Sequence, residues 1–324
     1  MRAASMKRVI EPVADAFADD VLRGLTSPRK TLPARYLYDT LGSALFDAIC
    51  HLPWYEVTRA EHRLLAAHAR DISLAADPDL LVELGPGSGE KLVALTRGLA
   101  HPRTLRQVHL VDVSHDALRA ASRAVSQTGD WRVTTDTAAY EDGVQGLARI
   151  RPFGSRMLLL FLGSNIGNFD PPVAASILRR ISGAMEPHDA FLLGADLVKP
   201  IERLRLAYDD PLGVTAAFNK NLLVRINREL DANFPIDAFD HRIEWDADHS
   251  RVEMHLVSRH TQSVTIDHLN LDLRFEAGET IWTESSYKYQ LHDLQAMGAD
   301  AGLRINHQWV DAAGQFALTL FVPA

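Results

Sequence analysis

Four stretches of the chain are apolar at nearly every position: LLVEL at 80–84, VHLVD at 108–112, MLLLFL at 157–162 and AFLLGAD at 190–196. Helically spaced segments follow them, among them EKLVALTRGLA, DALRAASRAVSQ and PPVAASILRRISGAM. Short continuous apolar runs predict strands buried on both faces, and their alternation with helices predicts an α/β, doubly wound parallel sheet. WRVTTD at 131–136 adds a less apolar strand. Upstream, Val13, Phe17, Val21 and Leu25 recur every four residues and predict a helix over 11–26. SPRKTLPARYLYD reads as a proline-broken loop, followed by helices in LGSALFDAICHL and TRAEHRLLAAHARDISLAA.

The alternation stops near residue 197. IERLRLAYDD and PLGVTAAFNKNLLVRINREL read as helices. HRIEWDADHSRVEMHLVSRHTQSVTI reads as a hairpin turning at DADHS, and DLRFEAGETIWTESSYKY adds strands. A helix in LHDLQAMGADAGL and strands in the last twenty residues then resume the α/β pattern. An interruption over 198–286 is too long for a loop and implies a task of its own. The predicted division is a core over 59–197, an insertion over 198–286 and a C-terminal completion of the core over 287–324.

Bulk composition narrows the function classes. Of 324 residues, 47% are hydrophobic and 23% charged, as in ordinary soluble globular proteins. A net charge of −8 argues against nonspecific nucleic-acid binding. The lone cysteine, Cys50, permits no internal disulfide and fits a reducing cytoplasm. No run of 18 apolar residues suggests a membrane span, and the N-terminus lacks a secretory h-region. The histidines are scattered, and no metal-ligand cluster is expected.

LVELGPGSGEK sets E-x-G-x-G-x-G between a strand and a helix. Glycines there, Gly85 and Gly87 among them, let a ligand approach the backbone and meet its N–H groups. The absence of G-K-[ST] disfavours a P-loop. Asp112 closes the next strand, where an acid accepts from both ribose hydroxyls. S-adenosylmethionine and nicotinamide sites both use that geometry, and the E-x-G-x-G form leans towards the former. Asp136 ends the following strand, where such sheets often meet adenine. Late in the chain, WTESSYKYQ read as a regular strand places Trp282, Glu284, Ser286 and Lys288 on one side. A carboxylate and a hydroxyl two residues apart form a fork for a small polar ligand, or else a solvated edge.

Beyond these pieces, LPARYLYDTLGSALFDAI, LPWYEVTRAE, LVELGPGSGEK, FLGSNIGNF, AYDDPLGVTAAFNKNLLVRINREL, RVEMHLVSR and AGETIWTESSYKY carry a resemblance over residues 31–290. They resemble the S-adenosylmethionine-dependent L-histidine Nα-methyltransferases of ergothioneine biosynthesis. The resemblance implies a Rossmann-like class I methyltransferase sheet. It also implies an added α+β substrate-binding domain, built from residues 1–58 and the insertion. S-adenosyl-L-methionine is the implied cofactor and L-histidine the implied small-molecule substrate; apart from the resemblance, a cytoplasmic monomer is expected.

Carried over by position, Gly85, Gly87, Lys91 and Asp112 match cofactor contacts. For adenine, Asp136 is the assigned contact, with Ala139 and Tyr140 in the alternative register. Tyr55 matches an aromatic between cofactor and substrate. Asn168 and Tyr208 match the pair on the amino-acid carboxylate, and Glu284 and Ser286 the pair on the imidazole; apart from the resemblance, Met254, alternating with Val252 and Leu256, reads as core or as the floor under that ring. Tyr38 and Phe46 match the amine pocket, where no dedicated base is evident and Tyr38 is one exit for the amine proton. Trp54, Glu56 and Val57 depart from the family's usual LPEYYPTR. A same-fold enzyme acting on another amino acid or aromatic amine, a non-catalytic ligand-binding homologue, and a nicotinamide oxidoreductase are the competing readings.

Overall fold

The computed structural model describes residues 12–99 and 107–324, with side chains from Ala16 onward; residues 1–11, 100–106 and the side chain of Val13 lie outside the described residues. Strands run Lys30–Thr31 (β1), Leu80–Leu84 (β2), Gln107–Asp112 (β3), Arg132–Thr137 (β4), Met157–Phe161 (β5), Ala190–Asp196 (β6), Phe239–Asp246 (β7), Arg251–Ser258 (β8), Gln262–Ile266 (β9), Leu271–Phe275 (β10), Thr280–Tyr287 (β11), Leu303–Asp311 (β12) and Phe316–Pro323 (β13). Helices run Pro12–Thr26 (α1), Thr40–His51 (α2), Glu56–Ala76 (α3), Glu90–Arg97 (α4), His115–Ser126 (α5), Tyr140–Ile150 (α6), Pro171–Ala184 (α7), Ile201–Tyr208 (α8), Val214–Glu229 (α9) and Leu291–Asp300 (α10).

A seven-stranded sheet in the order β12-β13-β6-β5-β2-β3-β4 forms the core. β6 through β4 are parallel, and β13 runs antiparallel between β6 and β12. This is the doubly wound α/β sheet that the apolar strands predict. Every residue of β2, β5 and β6 is buried, because helices cover both faces. The chain reverses its direction of build between β2 and β5. Ligands of open α/β sheets bind at that switch point, beyond the carboxyl ends of the strands. The glycine loop after β2 and the turn Gly163–Asn168 after β5 meet there.

A second sheet, ordered β1-β11-β8-β7, stands over this end of the core. It draws its outermost strand, β1, from the loop before α2. The continuation of β11 joins it to the core: Tyr289 N–H donates to the Asp196 carbonyl at 3.0 Å, and Val198 N–H to the Tyr289 carbonyl at 3.0 Å. The segment after β6 and the segment after β11 thus lie side by side at the tip of β6.

One expectation of side-chain direction fails here. Trp282 pairs with His255 while Glu284 pairs with Met254, so Thr283 is an extra residue in a β-bulge. The bulge breaks strict alternation. Glu284 and Ser286 face inward with Met254 and Val252, whereas Trp282 faces out beside His255. The Thr283 hydroxyl lies 2.6 Å from Asn219 Oδ1 and 3.0 Å from the Met254 carbonyl, inside the fold. Asn219, fully buried on α9, also donates to the His255 carbonyl at 3.2 Å. A polar side chain from the neighbouring helix therefore satisfies the backbone that the bulge leaves open.

Candidate active site

Between the two sheets lies a cavity enclosing about 510 Å³ of non-atom space including its mouth, within the range of small-molecule sites. Seven parts of the fold converge on it. The segment before α2 supplies Tyr38, α2 itself Phe46, the first residue before α3 Tyr55, and the end of α8 Tyr208. β8 supplies Met254, β11 supplies Glu284 and Ser286, and the turn after β5 supplies Asn168. All eight residues assigned to the amine and substrate from the sequence line this one cavity.

Its aromatic wall is continuous. Tyr38 meets Phe46 edge-to-face at 5.5 Å between centroids, Phe46 meets Tyr55 at 6.3 Å, and Tyr55 meets Tyr208 at 6.2 Å. Phe218 of α9 backs Tyr38 at 5.5 Å and Phe46 at 5.9 Å. Burial, and then the Glu284 charge, push the Tyr38 hydroxyl well above its ordinary pKa. Tyr38 therefore keeps its proton at neutral pH and is no exit for the amine proton as a phenolate. It is a donor and a π face.

The polar end holds a different balance. Burial raises Glu284 to about 7, with Lys288 pulling it back. Ser286 Oγ and Tyr208 Oη are 2.8 Å apart, and Lys288 Nζ lies 2.7 Å from each. Neither Lys288 nor its counterion Asp196 is marked out by the glycine loop or the fork.

Beside the cavity, Gly85 carries φ +71° and Gly87 φ +55°, a left-handed geometry that suits glycine. Asp112 Oδ1 accepts from the Ser114 N–H at 2.9 Å, and burial raises its pKa while backbone donors including Gly87 oppose that. Lys91 Nζ is 2.9 Å from Glu61 Oε2, and both Glu61 oxygens accept from the Gly163 N–H. The glycine loop and the β5 turn are thus tied through one fully buried acid. Asp136 goes elsewhere: on the edge strand it shares the face of its partner Val111 and points at α6, near Gly146. Tyr140, three residues past β4, instead brings its hydroxyl to Gly85 and stacks edge-to-face on Phe161 at 5.1 Å. Of the two registers open in TDTAAYED, the structure brings the Tyr140 one to the loop.

A Cβ at Gly85 would stand 2.7 Å from both Asn165 Nδ2 and Tyr140 Oη. Gly85→Ala is expected to weaken S-adenosylmethionine binding at least about tenfold, because left-handed strain and these two clashes both distort the loop. Titration calorimetry checks it; unchanged affinity would mean that the loop relaxes freely.

Comparison with known proteins adds the family. Residues 17–323 match the model of the SAM-dependent, histidine-specific methyltransferases. The chain belongs to this family. It is 42% identical over 312 residues to the histidine N-alpha-methyltransferase of Mycolicibacterium smegmatis, covering 96% of each chain. It is 43% identical over 305 residues to that of Mycobacterium tuberculosis, covering 94% of each. Ergothioneine biosynthesis protein 1 of Schizosaccharomyces pombe is 29% identical over 269 residues, 80% of this chain and 34% of that one.

The residues present fit the methyl donor that defines these histidine-specific methyltransferases. Gly87 has open space where a side chain would stand. Two residues before Gly85, Glu83 is buried at 1% exposure with neither carboxylate oxygen hydrogen-bonded within the protein. Buried acids ordinarily have partners; an orphan one beneath a ligand loop suits an ammonium such as the cofactor's. Glu83, Gly85, Gly87, Asp112 and Tyr140 are the residues that would hold it.

Sequence reasoning gives no role to Glu61, Asn165 and Phe218, which no local pattern distinguishes from core or capping residues, nor to Glu83, the acid of the E-x-G-x-G-x-G motif, or Lys288, on the strand side of Glu284 and Ser286. Among the described residues, Glu244, Glu253 and His255 also bring potential metal-ligand atoms within 4.8 Å of one another. They sit on the outer face of the second sheet, where Arg242 and Arg251 already pair with the two acids at 2.7 and 2.5 Å. No described helix is long and apolar enough to cross a membrane.

Proposed function

We propose that the protein transfers methyl groups from S-adenosylmethionine to the α-amino nitrogen of L-histidine, three times, yielding the trimethylated betaine hercynine for ergothioneine biosynthesis. It works as a cytoplasmic monomer, with the N-terminal segment 1–58 and the insertion 198–286 forming the substrate-binding part. The observation that carries this reading is the single cavity with Glu284 and Ser286 at one end and an aromatic wall beside Asn168.

Glu284 accepts the N–H of one imidazole nitrogen, and Ser286 donates to the other. Asn168 holds the carboxylate by neutral hydrogen bonds, and Met254 floors the ring. Bound at the glycine loop, S-adenosylmethionine supplies an electrophilic methyl on a sulfonium sulfur. The protein's part is alignment: holding the amine lone pair in line with that methyl is worth as much as about 7–11 kcal/mol. The amine must reach the site neutral, so its proton leaves to solvent before each transfer. As methyls accumulate, the nitrogen becomes a fixed cation. The faces of Tyr38, Phe46 and Tyr55 then stabilise it, at roughly 0.5–2 kcal/mol per ring.

Mass spectrometry of purified protein incubated with S-adenosylmethionine and a panel of amino acids tests the reading. Products carrying one, two and three methyls on histidine alone are expected. Methylation of another amino acid and not histidine overturns it. Phe46→Leu is expected to slow the third transfer more than the first, by about fivefold, because the fully methylated nitrogen has no N–H left to hydrogen-bond and depends on the ring faces. Equal slowing of all three would assign Phe46 to packing alone.

A further inference from the structure

Behind the hydroxyl wall stands a cation that the chemistry above leaves unused. The Lys288 side chain is fully buried, and Nζ donates to Tyr208 Oη and Ser286 Oγ at 2.7 Å each and pairs with Asp196 Oδ2 at 3.1 Å. An ammonium has three protons and no lone pair, so these three acceptors occupy it. Lys199 holds the other Asp196 oxygen at 2.5 Å, which fixes the anchor. Burial works against the Lys288 charge, but Tyr208 and Asp196 outweigh it.

The two hydroxyls also contact each other at 2.8 Å. A phenol is a stronger acid than an alkanol and hence the better donor, and burial keeps the Tyr208 proton in place despite Lys288. Tyr208 therefore donates to Ser286. A serine oxygen has two lone pairs. Lys288 fills one and Tyr208 the other, which leaves only the Ser286 proton for a ligand in the cavity that this residue lines.

We propose that Lys288 and Tyr208 are positioning residues that make Ser286 a hydrogen-bond donor and never an acceptor, so the ring nitrogen facing it must be the unprotonated one. This rests on the histidine reading and deepens it. The site then takes neutral imidazole in one tautomer, with N–H towards Glu284 and lone pair towards Ser286. Imidazolium, protonated at both nitrogens, finds no acceptor at Ser286. The count also alters the role of Tyr208: with its proton committed to Ser286, it leaves the substrate carboxylate to Asn168.

The test is calorimetric binding of histidine and of its two pyrrole analogues to protein saturated with S-adenosylhomocysteine. Each analogue keeps one ring N–H and replaces the other nitrogen with C–H. Wild-type protein is expected to prefer histidine about 100-fold over the better analogue, the range of the cost of leaving a buried donor unpaired. Lys288→Met frees a Ser286 lone pair and is expected to cut that preference to about tenfold or less. In a Ser286→Ala background it should change the preference by no more than about twofold, since it acts through that hydroxyl. If Lys288→Met weakens histidine and the analogues equally, or by the same factor in both backgrounds, its role is structural and the proposal is overturned. Should Lys288→Met fail to bind S-adenosylhomocysteine, Tyr208→Phe frees the other lone pair and must shrink the preference likewise; an unchanged preference overturns the proposal. Wild-type protein that binds no histidine at all would instead sink the substrate reading.

Discussion

Replacing Glu284 with alanine is expected to lower kcat/KM for histidine by about 10³- to 10⁴-fold, while affinity for S-adenosylmethionine changes by less than about twofold. A site that hydrogen-bonds a ring nitrogen discriminates by that order, because a lost partner strands a buried N–H on the substrate. Glu284 lines the cavity with 9% of its surface exposed. The pH profile adds a sign. Burial raises Glu284 to about 7, so the acceptor form is lost as pH falls through about 7. Log kcat/KM should therefore rise with pH across that region more steeply than the titration of histidine's own imidazole and amine accounts for, and Glu284→Gln, which cannot ionise, should leave only the substrate's part of that rise, at a lower plateau. Steady-state kinetics from pH 5.5 to 9 measure both. Alanine and wild type with the same kcat/KM for histidine would remove Glu284 from the substrate site.

What the sequence conveys, and what it does not, divides along the range of the interactions. β5 and β6 are legible because sheets covered on both faces need apolar residues at every position, and MLLLF and AFLLGAD supply them. The glycine loop is legible because left-handed backbone beside a ligand restricts residue choice locally. The two-residue β1 is not, since Lys30 and Thr31 become a strand only by lying along Ile281 and Trp282. The outward turn of Trp282 is not legible either. Its cause is a bulge satisfied by Asn219, more than sixty residues away in the chain. Asp136 and Tyr140 lie four residues apart, and only the packing of α6 on β3 decides which one reaches Gly85. Lys288, Asp196 and Tyr208 come from three separate elements, so no spacing rule reveals their network.

Glu83→Gln is expected to have two opposite effects that together fix what this acid does. Without ligand, burial raises Glu83 to about 8 from an ordinary value of 4.5. Between those values the folded protein keeps a proton that the unfolded chain has lost. The folded state therefore binds more protons, and stability falls as pH rises through this window. At roughly 1.4 kcal/mol per unit over about three and a half units, the loss amounts to about 5 kcal/mol by pH 9. Glutamine mimics the protonated acid and never ionises. The variant should match wild type in thermal unfolding at pH 5 and exceed it by about 10 °C at pH 9. Its affinity for S-adenosylmethionine should fall about 10- to 100-fold, because the carboxylate that would meet the ammonium is gone. Saturating cofactor should likewise flatten the wild-type decline above pH 7, since a cationic partner offsets the cost of ionising the acid. A variant stabilised at pH 9 with cofactor affinity intact would leave Glu83 as a buried acid with no ligand. Weaker binding without stabilisation would mean that the acid is already ionised and paired in the free protein.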